Sequence, residues 1–158
     1  MTLAVYKINA YVWELLQRVH DWDAAEYSVV PITPDAEPEI VQLEKPYLLY
    51  GYGNEETGLL TTDQVAYTIV SKSSNEINQI IETLSNAFKR GAQSAIDINT
   101  NIDPSPFSFK TTGFAGASGP ESDNTQSADW KEGIVLVRYT YGHDLDLSRY
   151  DGLISGEV

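Results

Sequence analysis

A chain of 158 residues is the size of one compact domain, and 42% hydrophobic with 21% charged residues is the composition of a folded protein, which excludes wholesale disorder. It contains no cysteine, so disulfide frameworks, thiolate nucleophiles, iron–sulfur clusters and cysteine-based zinc sites are excluded together. The formal charge of −13, from 23 acids and 10 bases, disfavours nucleic-acid and anionic-lipid binding, because such surfaces repel phosphate.

The charge is uneven. Between Asp21 and Gly58 stand nine acids (Asp21, Asp23, Glu26, Asp35, Glu37, Glu39, Glu44, Glu55, Glu56) and one base, Lys45. Such a run is ordinarily a solvated acidic face; the sharper alternative is a smooth wall past which DNA slides. Met1 to Leu16 carries no basic leader, and no stretch reaches the roughly 18 apolar residues of a membrane span. The expectation is a soluble protein that stays where it is made, with no membrane partner.

In chain order, Val5, Ile8, Val12, Leu15, Leu16 and Val19 recur at three- and four-residue spacing and predict a helix from Ala4 to Val19. Pro31, Pro34, Pro38 and Pro46 then make Ser28 to Pro46 a loop, with short edge strands at most around Ser28 to Ile32 and Ile40 to Leu43. Tyr47 to Tyr52 and Val65 to Ser71 are rich in aromatic and β-branched residues and predict two strands. The turn-rich Gly53 to Gly58 between them suggests an antiparallel pair with a connection longer than a tight hairpin.

Ser73-Ser74-Asn75-Glu76 matches the Ser-x-x-Glu capping box and fixes the start of a second helix. Ile77, Ile80, Ile81, Leu84 and Phe88 line one face of it, Lys89 and Arg90 sit at its negative end, and Gly91 is placed to terminate it. A short helical turn is predicted over Gln93 to Ile98, a strand over Phe107 to Thr111 and the longest strand over Gly133 to Tyr141. The polar Gly/Ser/Asp/Asn stretch 113–129 is predicted as a long loop and 143–158 as a C-terminal tail, leaving 1–142 as a single domain. The fold class expected is α+β, a mostly antiparallel sheet of about four or more strands packed against the N-terminal helix and the central capped helix.

Catalytic constellations are sparse. His20 and His143 are the two histidines, too few for a transition-metal site; Asp21/Asp23 and Asp144/Asp146 lack the rest of a calcium loop. Gly116-Ala117-Ser118-Gly119 lacks the spacing of a nucleophile elbow, and the Gly-rich 113–119 has no following Lys to cradle phosphate. No catalytic residue, metal ligand or cofactor is assigned, and the chain is expected not to be an enzyme. A small metal-binding enzyme domain built on His20, His143 and nearby carboxylates is the rival class. Aromatic residues are the feature left over: Tyr47, Tyr50, Tyr52, Tyr67, Tyr139 and Tyr141 lie in strands, where one face fills a core and the other suits protein contacts.

The amphipathic Ala4 to Val19, the Pro46-Tyr47-Leu48-Leu49-Tyr50-Gly51 strand, Tyr67-Thr68-Ile69-Val70 leading into the capped helix, the small helix Ala92 to Asn99, and the strand Gly133 to Tyr139 occur in an order that resembles the tail terminator, or tail completion, proteins of long-tailed bacteriophages. The resemblance covers Ala4 to Tyr141. It implies a virion protein, assembled in the host cytoplasm, that forms a hexameric ring, ends tail-tube polymerisation and joins the tail to the head or neck. The implied partners are further copies of the chain, tube protein, neck or head-completion proteins, and genomic DNA passing through the lumen without sequence-specific binding. A head-closure or stopper neck protein is the nearest alternative. On this basis Tyr50, Tyr52, Phe114, Trp130, Tyr139 and Tyr141 are the expected assembly-interface residues, with sheet edges and the 113–129 loop as the contacts.

Overall fold

The computed structural model of the chain describes residues 3–27, 30–35, 45–57, 60–102, 107–122 and 130–143. Along the sequence come α1 (Ala4–Val19), a 3-10 turn (Ala24–Glu26), β1 (Ile32–Pro34), β2 (Tyr47–Thr57), β3 (Leu60–Ser71), α2 (Ser74–Phe88), α3 (Ala92–Asn101), β4 (Phe107–Ser122) and β5 (Lys131–His143). The strands form one 5-stranded sheet in the order β1-β2-β3-β5-β4, antiparallel except for the β1–β2 pair. The α+β class expected from sequence is the class found.

Alternation along the strands sorts the two faces of the sheet. Val65, Tyr67 and Ile69 of β3 and Val135, Val137 and Tyr139 of β5 are fully buried and share one cluster with the apolar residues of the helices. Their neighbours Thr62, Ala66, Thr68, Ile134, Leu136 and Thr140 point the other way and are half-buried. α1 supplies Val5, Ile8, Val12 and Leu16 to the cluster, and α2 supplies Ile77, Ile80, Leu84 and Phe88. Two details of the α1 stripe differ from the periodicity: Val19, at the last turn, is 55% exposed, and Tyr11 is buried, edge-on to Phe88 with ring centroids 5.9 Å apart.

The start of α2 is fixed by a relay. The Ser73 hydroxyl accepts from the Glu76 N–H at 3.1 Å, as the capping box requires, but Glu76 does not return the bond directly. Instead the Ser73 N–H donates to the Ser71 hydroxyl at 3.1 Å, which donates to the Glu76 carboxylate at 2.6 Å. One residue of β3 thus joins strand to helix and satisfies an orphan donor. At the other end, the carbonyls of Ala87 and Phe88 accept from the hydroxyls of Ser94 and Thr112. Gly91 lies beyond the Lys89 cap and starts α3; its φ of +62° turns the chain between the two helices, a conformation only glycine adopts freely. α3 runs to Asn101, three residues past the predicted Ile98.

Three expectations about connections are corrected. The loop expected over 113–129 is strand as far as Ser122, paired along β5 with register shifts at Phe109/Thr111, Phe114/Gly116 and Ser118/Glu121; positions 123–129 lie outside the described residues. Glycine, alanine and serine carry little β propensity, but the strongly β-forming partner strand decides the conformation, and bulges absorb the misfit. The turn expected at Gly53 to Gly58 is strand through Thr57, and Thr57 pairs with Leu60, so only positions 58 and 59 separate the strands instead of a long connection. Near Ser28 to Ile32 the strand found is Ile32–Pro34, running parallel to β2; positions 40–43 lie outside the described residues.

Both outer strands are protected against pairing. The Pro31 carbonyl and the Asp35 N–H bond β2, so the alternating Pro34 turns its missing donor to the outside. On β4 the Asn99 carboxamide bonds both backbone groups of Phe109, and the Thr112 N–H donates to the Gly91 carbonyl. Edge-to-edge strand addition over 107–112 is thereby blocked.

Candidate functional site

Of the six expected interface residues, four are interior. Tyr139 is 0% exposed, Tyr141 6%, Tyr50 7% and Trp130 7%. The period of two puts Tyr139 and Tyr141 on the helix-covered face, where they pack against Phe109, and Phe107 meets Tyr141 edge-on. Trp130 closes a small cluster with Tyr47 and Val70 on the opposite face, under the Lys72 ammonium. Trp130, Tyr139 and Tyr141 are thus packing residues of the monomer, whereas Tyr50 both packs in the core and lines a surface groove. Tyr52, 41% exposed, and Phe114, half-buried beneath the Lys89 ammonium at 4.8 Å, remain at the surface.

The interior also contains an acid. Asp63 is 2% exposed, faces the Tyr141 hydroxyl at 3.5 Å, and lies beside the Tyr139 hydroxyl, which makes no hydrogen bond of good geometry. Burial raises the Asp63 pKa above its ordinary 3.8, partly offset by the two phenols, and burial beside Asp63 raises that of Tyr139. The cluster is a packing feature with an electrostatic cost. His20 bonds Thr83 at 2.8 Å, and burial lowers its pKa against the opposing pull of Glu76 and Asp21. His143 ends β5, while Asp144 and Asp146 lie outside the described residues. Among the described residues no group of three or more His, Asp or Glu is placed to hold a metal, and no helix is long and apolar enough to cross a membrane.

One concave feature is a groove of about 350 Å³ between α1 and the β1–β2 side of the sheet, lined by Tyr6, Asn9, Ala10, Trp13, Val30, Ile32 and Tyr50. Among the described residues its lining contains no charge. Tyr6 and Val30, at 47% and 51% exposure, form its rim. Trp13 is held from behind by Trp22 and Tyr27, whose hydroxyl donates to the Pro46 carbonyl. Asn9 accepts from the buried Tyr67 hydroxyl at 2.6 Å, which fixes the orientation of its amide. The periodicity of α1 assigns its core face but gives no sign of this second stripe, Tyr6-Ala10-Trp13, which becomes a site only when β1 is laid beside it. The arrangement can seat apolar side chains of a partner; it offers no nucleophile or acid–base pair.

No protein-family model matches the sequence, and no curated protein matches it. Among solved structures, the fold is similar to a chain of the virion of a native gene transfer agent particle, with 14% identity and a TM-score of 0.46, covering 89% of this chain and 99% of that chain.

Proposed function

We propose that this chain is a structural virion protein that forms a ring at the end of a phage-type tail tube, ends tube growth and joins the tail to the head or neck. The observation that carries the proposal is the order of elements. The segments on which the resemblance to tail terminators rests fall in regular elements: Ala4–Val19 in α1, Pro46 to Gly51 in β2 except for Pro46, which precedes it, Tyr67 to Val70 in β3 directly before the capped α2, Ala92 to Asn99 in α3, and Gly133 to Tyr139 in β5. The role is mechanical and not catalytic. Its partners are further copies of the chain, tube protein and neck proteins, with DNA passing an acidic lumen that repels its phosphates.

The edges of the sheet bear on how copies join. Pro34 blunts β1 and Asn99 blunts 107–112 of β4, so at these edges copies associate through side chains, and Tyr52 and Phe114 are contact residues. The test is tube length. Tube protein polymerised with the purified chain gives short tubes capped at one end, visible by negative-stain electron microscopy; tubes of unchanged length without caps would refute the proposal.

A further inference from the structure

We propose that successive copies join head to tail, the β1–β2 side of one copy against the α3–β4 side of the next. The inference rests on the ring proposed above and names the surface that closes it. Strand order places β1 and β4 at opposite edges of the sheet. The two sides carry opposite charge. Around β1 and the start of β2, the described residues include Asp21, Asp23, Glu26 and Asp35, all exposed, against Lys45, which is engaged with Glu26 at 2.7 Å. On the other side Lys89, Arg90 and Lys110 are exposed, against Asp97, which Arg90 binds at 2.9 Å.

Each side also has an apolar centre. The groove edged by Tyr6 and Val30 has no charged side chain among its described lining residues, and in sequence its β1 side stands between the acids of 21–27 and Asp35. Ile96, 55% exposed, stands midway along α3, with Lys89 and Arg90 before its first turn; Lys110 follows Phe109 on β4, its ammonium donating to the Ser108 hydroxyl at 3.3 Å. An exposed apolar side chain on the side that carries the bases and an apolar groove on the side that carries the acids suit a contact with a desolvated centre and a polar rim. Because the two patches differ and sit on opposite sides, the contact is heterologous and closes into a ring when its rotation closes.

The direct test uses the unaltered protein. Carbodiimide joins a carboxylate to a lysine amine in contact with it, and an equal mixture of unlabelled and 15N-labelled chains shows by mass spectrometry which links are between copies. Expected are mixed-isotope links from Lys89 or Lys110 to Asp21, Asp23, Glu26 or Asp35, several-fold fewer at about 0.5 M salt. Two charge-reversed proteins test the same contact: Lys89→Glu/Arg90→Glu/Lys110→Glu, and Asp23→Lys/Glu26→Lys/Asp35→Lys. Each alone self-associates roughly tenfold or more weakly than the parent, and mixing the two restores association. Mixed-isotope links confined to other residues, a monomer at every concentration, or reversed proteins that associate like the parent would overturn the inference. Tube capping without this contact defeats the inference and spares the proposed function; the contact without tube capping does the reverse.

Discussion

The Asn99 side chain bonds both backbone groups of Phe109, donating to its carbonyl and accepting from its N–H, each at 2.9 Å. A carboxamide on α3 thus stands where a neighbouring strand would otherwise pair with β4. Asn99→Ala leaves two backbone groups of an outer strand open. It is expected to destabilise the fold by about 1–3 kcal/mol and to raise aggregation, read by urea unfolding and light scattering. An unchanged midpoint with no aggregation would show that Asn99 does not guard this edge.

The cap of α2 is a coupled unit of Ser71, Ser73 and Glu76. Ser71→Ala and Ser73→Ala are each expected to cost about 1 kcal/mol, and the double variant less than the sum, since both act on the same first turn. Additive losses would mean that the Ser71 relay is independent of the Ser73 cap.

At Gly133 α2 lies close against the sheet: a Cβ there would stand 2.6 Å from Ile77 Cγ2 and 3.1 Å from Ile81 Cδ1. Gly133→Ala is expected to lose about 1–3 kcal/mol as the helix is pushed away, measured by thermal or urea unfolding. Pairing it with Ile77→Val should recover part of that loss.

How much of this was legible beforehand follows from which interactions are local. The bounds of α1 and the start of α2 follow from residues within a few positions of one another, and both stand where the pattern puts them. The outer half of β4 was hidden, because Gly113 to Ser118 resembles a loop until β5 is beside it. Aromatic character marks Tyr50, Tyr139 and Tyr141 as suited to a core or to a contact, and it does not tell one strand face from the other. Only the pairing of β3 with β5 turns Tyr139 and Tyr141 inward, and only β1 makes a groove of the outer face of α1.

Asp63 gives a pH dependence of defined sign. Its folded pKa is raised by burial, so the folded chain holds the proton more tightly than the unfolded chain. The stability this gives is fully present below the unfolded value and is lost as pH rises through the folded one. Asp63→Asn keeps an acceptor for the phenols and removes the buried charge. The variant is expected to exceed the parent in stability at pH 7, with the gap shrinking toward pH 4; a gap independent of pH would show that Asp63 does not titrate in this way.

Tyr52 and Tyr139 separate assembly from folding. Tyr52→Ser is expected to change stability by less than about 0.5 kcal/mol while weakening association between copies of the chain. Tyr139→Ala empties a core position and is expected to cost about 3–5 kcal/mol. Equal effects of the two on unfolding would contradict the burial that distinguishes them.

The most direct test of the virion role is complementation. Particles made without this chain are expected to separate into filled heads and overlong, unjoined tails, and the purified protein added to that lysate should restore joined, infectious or transducing particles, counted by electron microscopy and titre. Normal joined particles made in its absence would contradict the account.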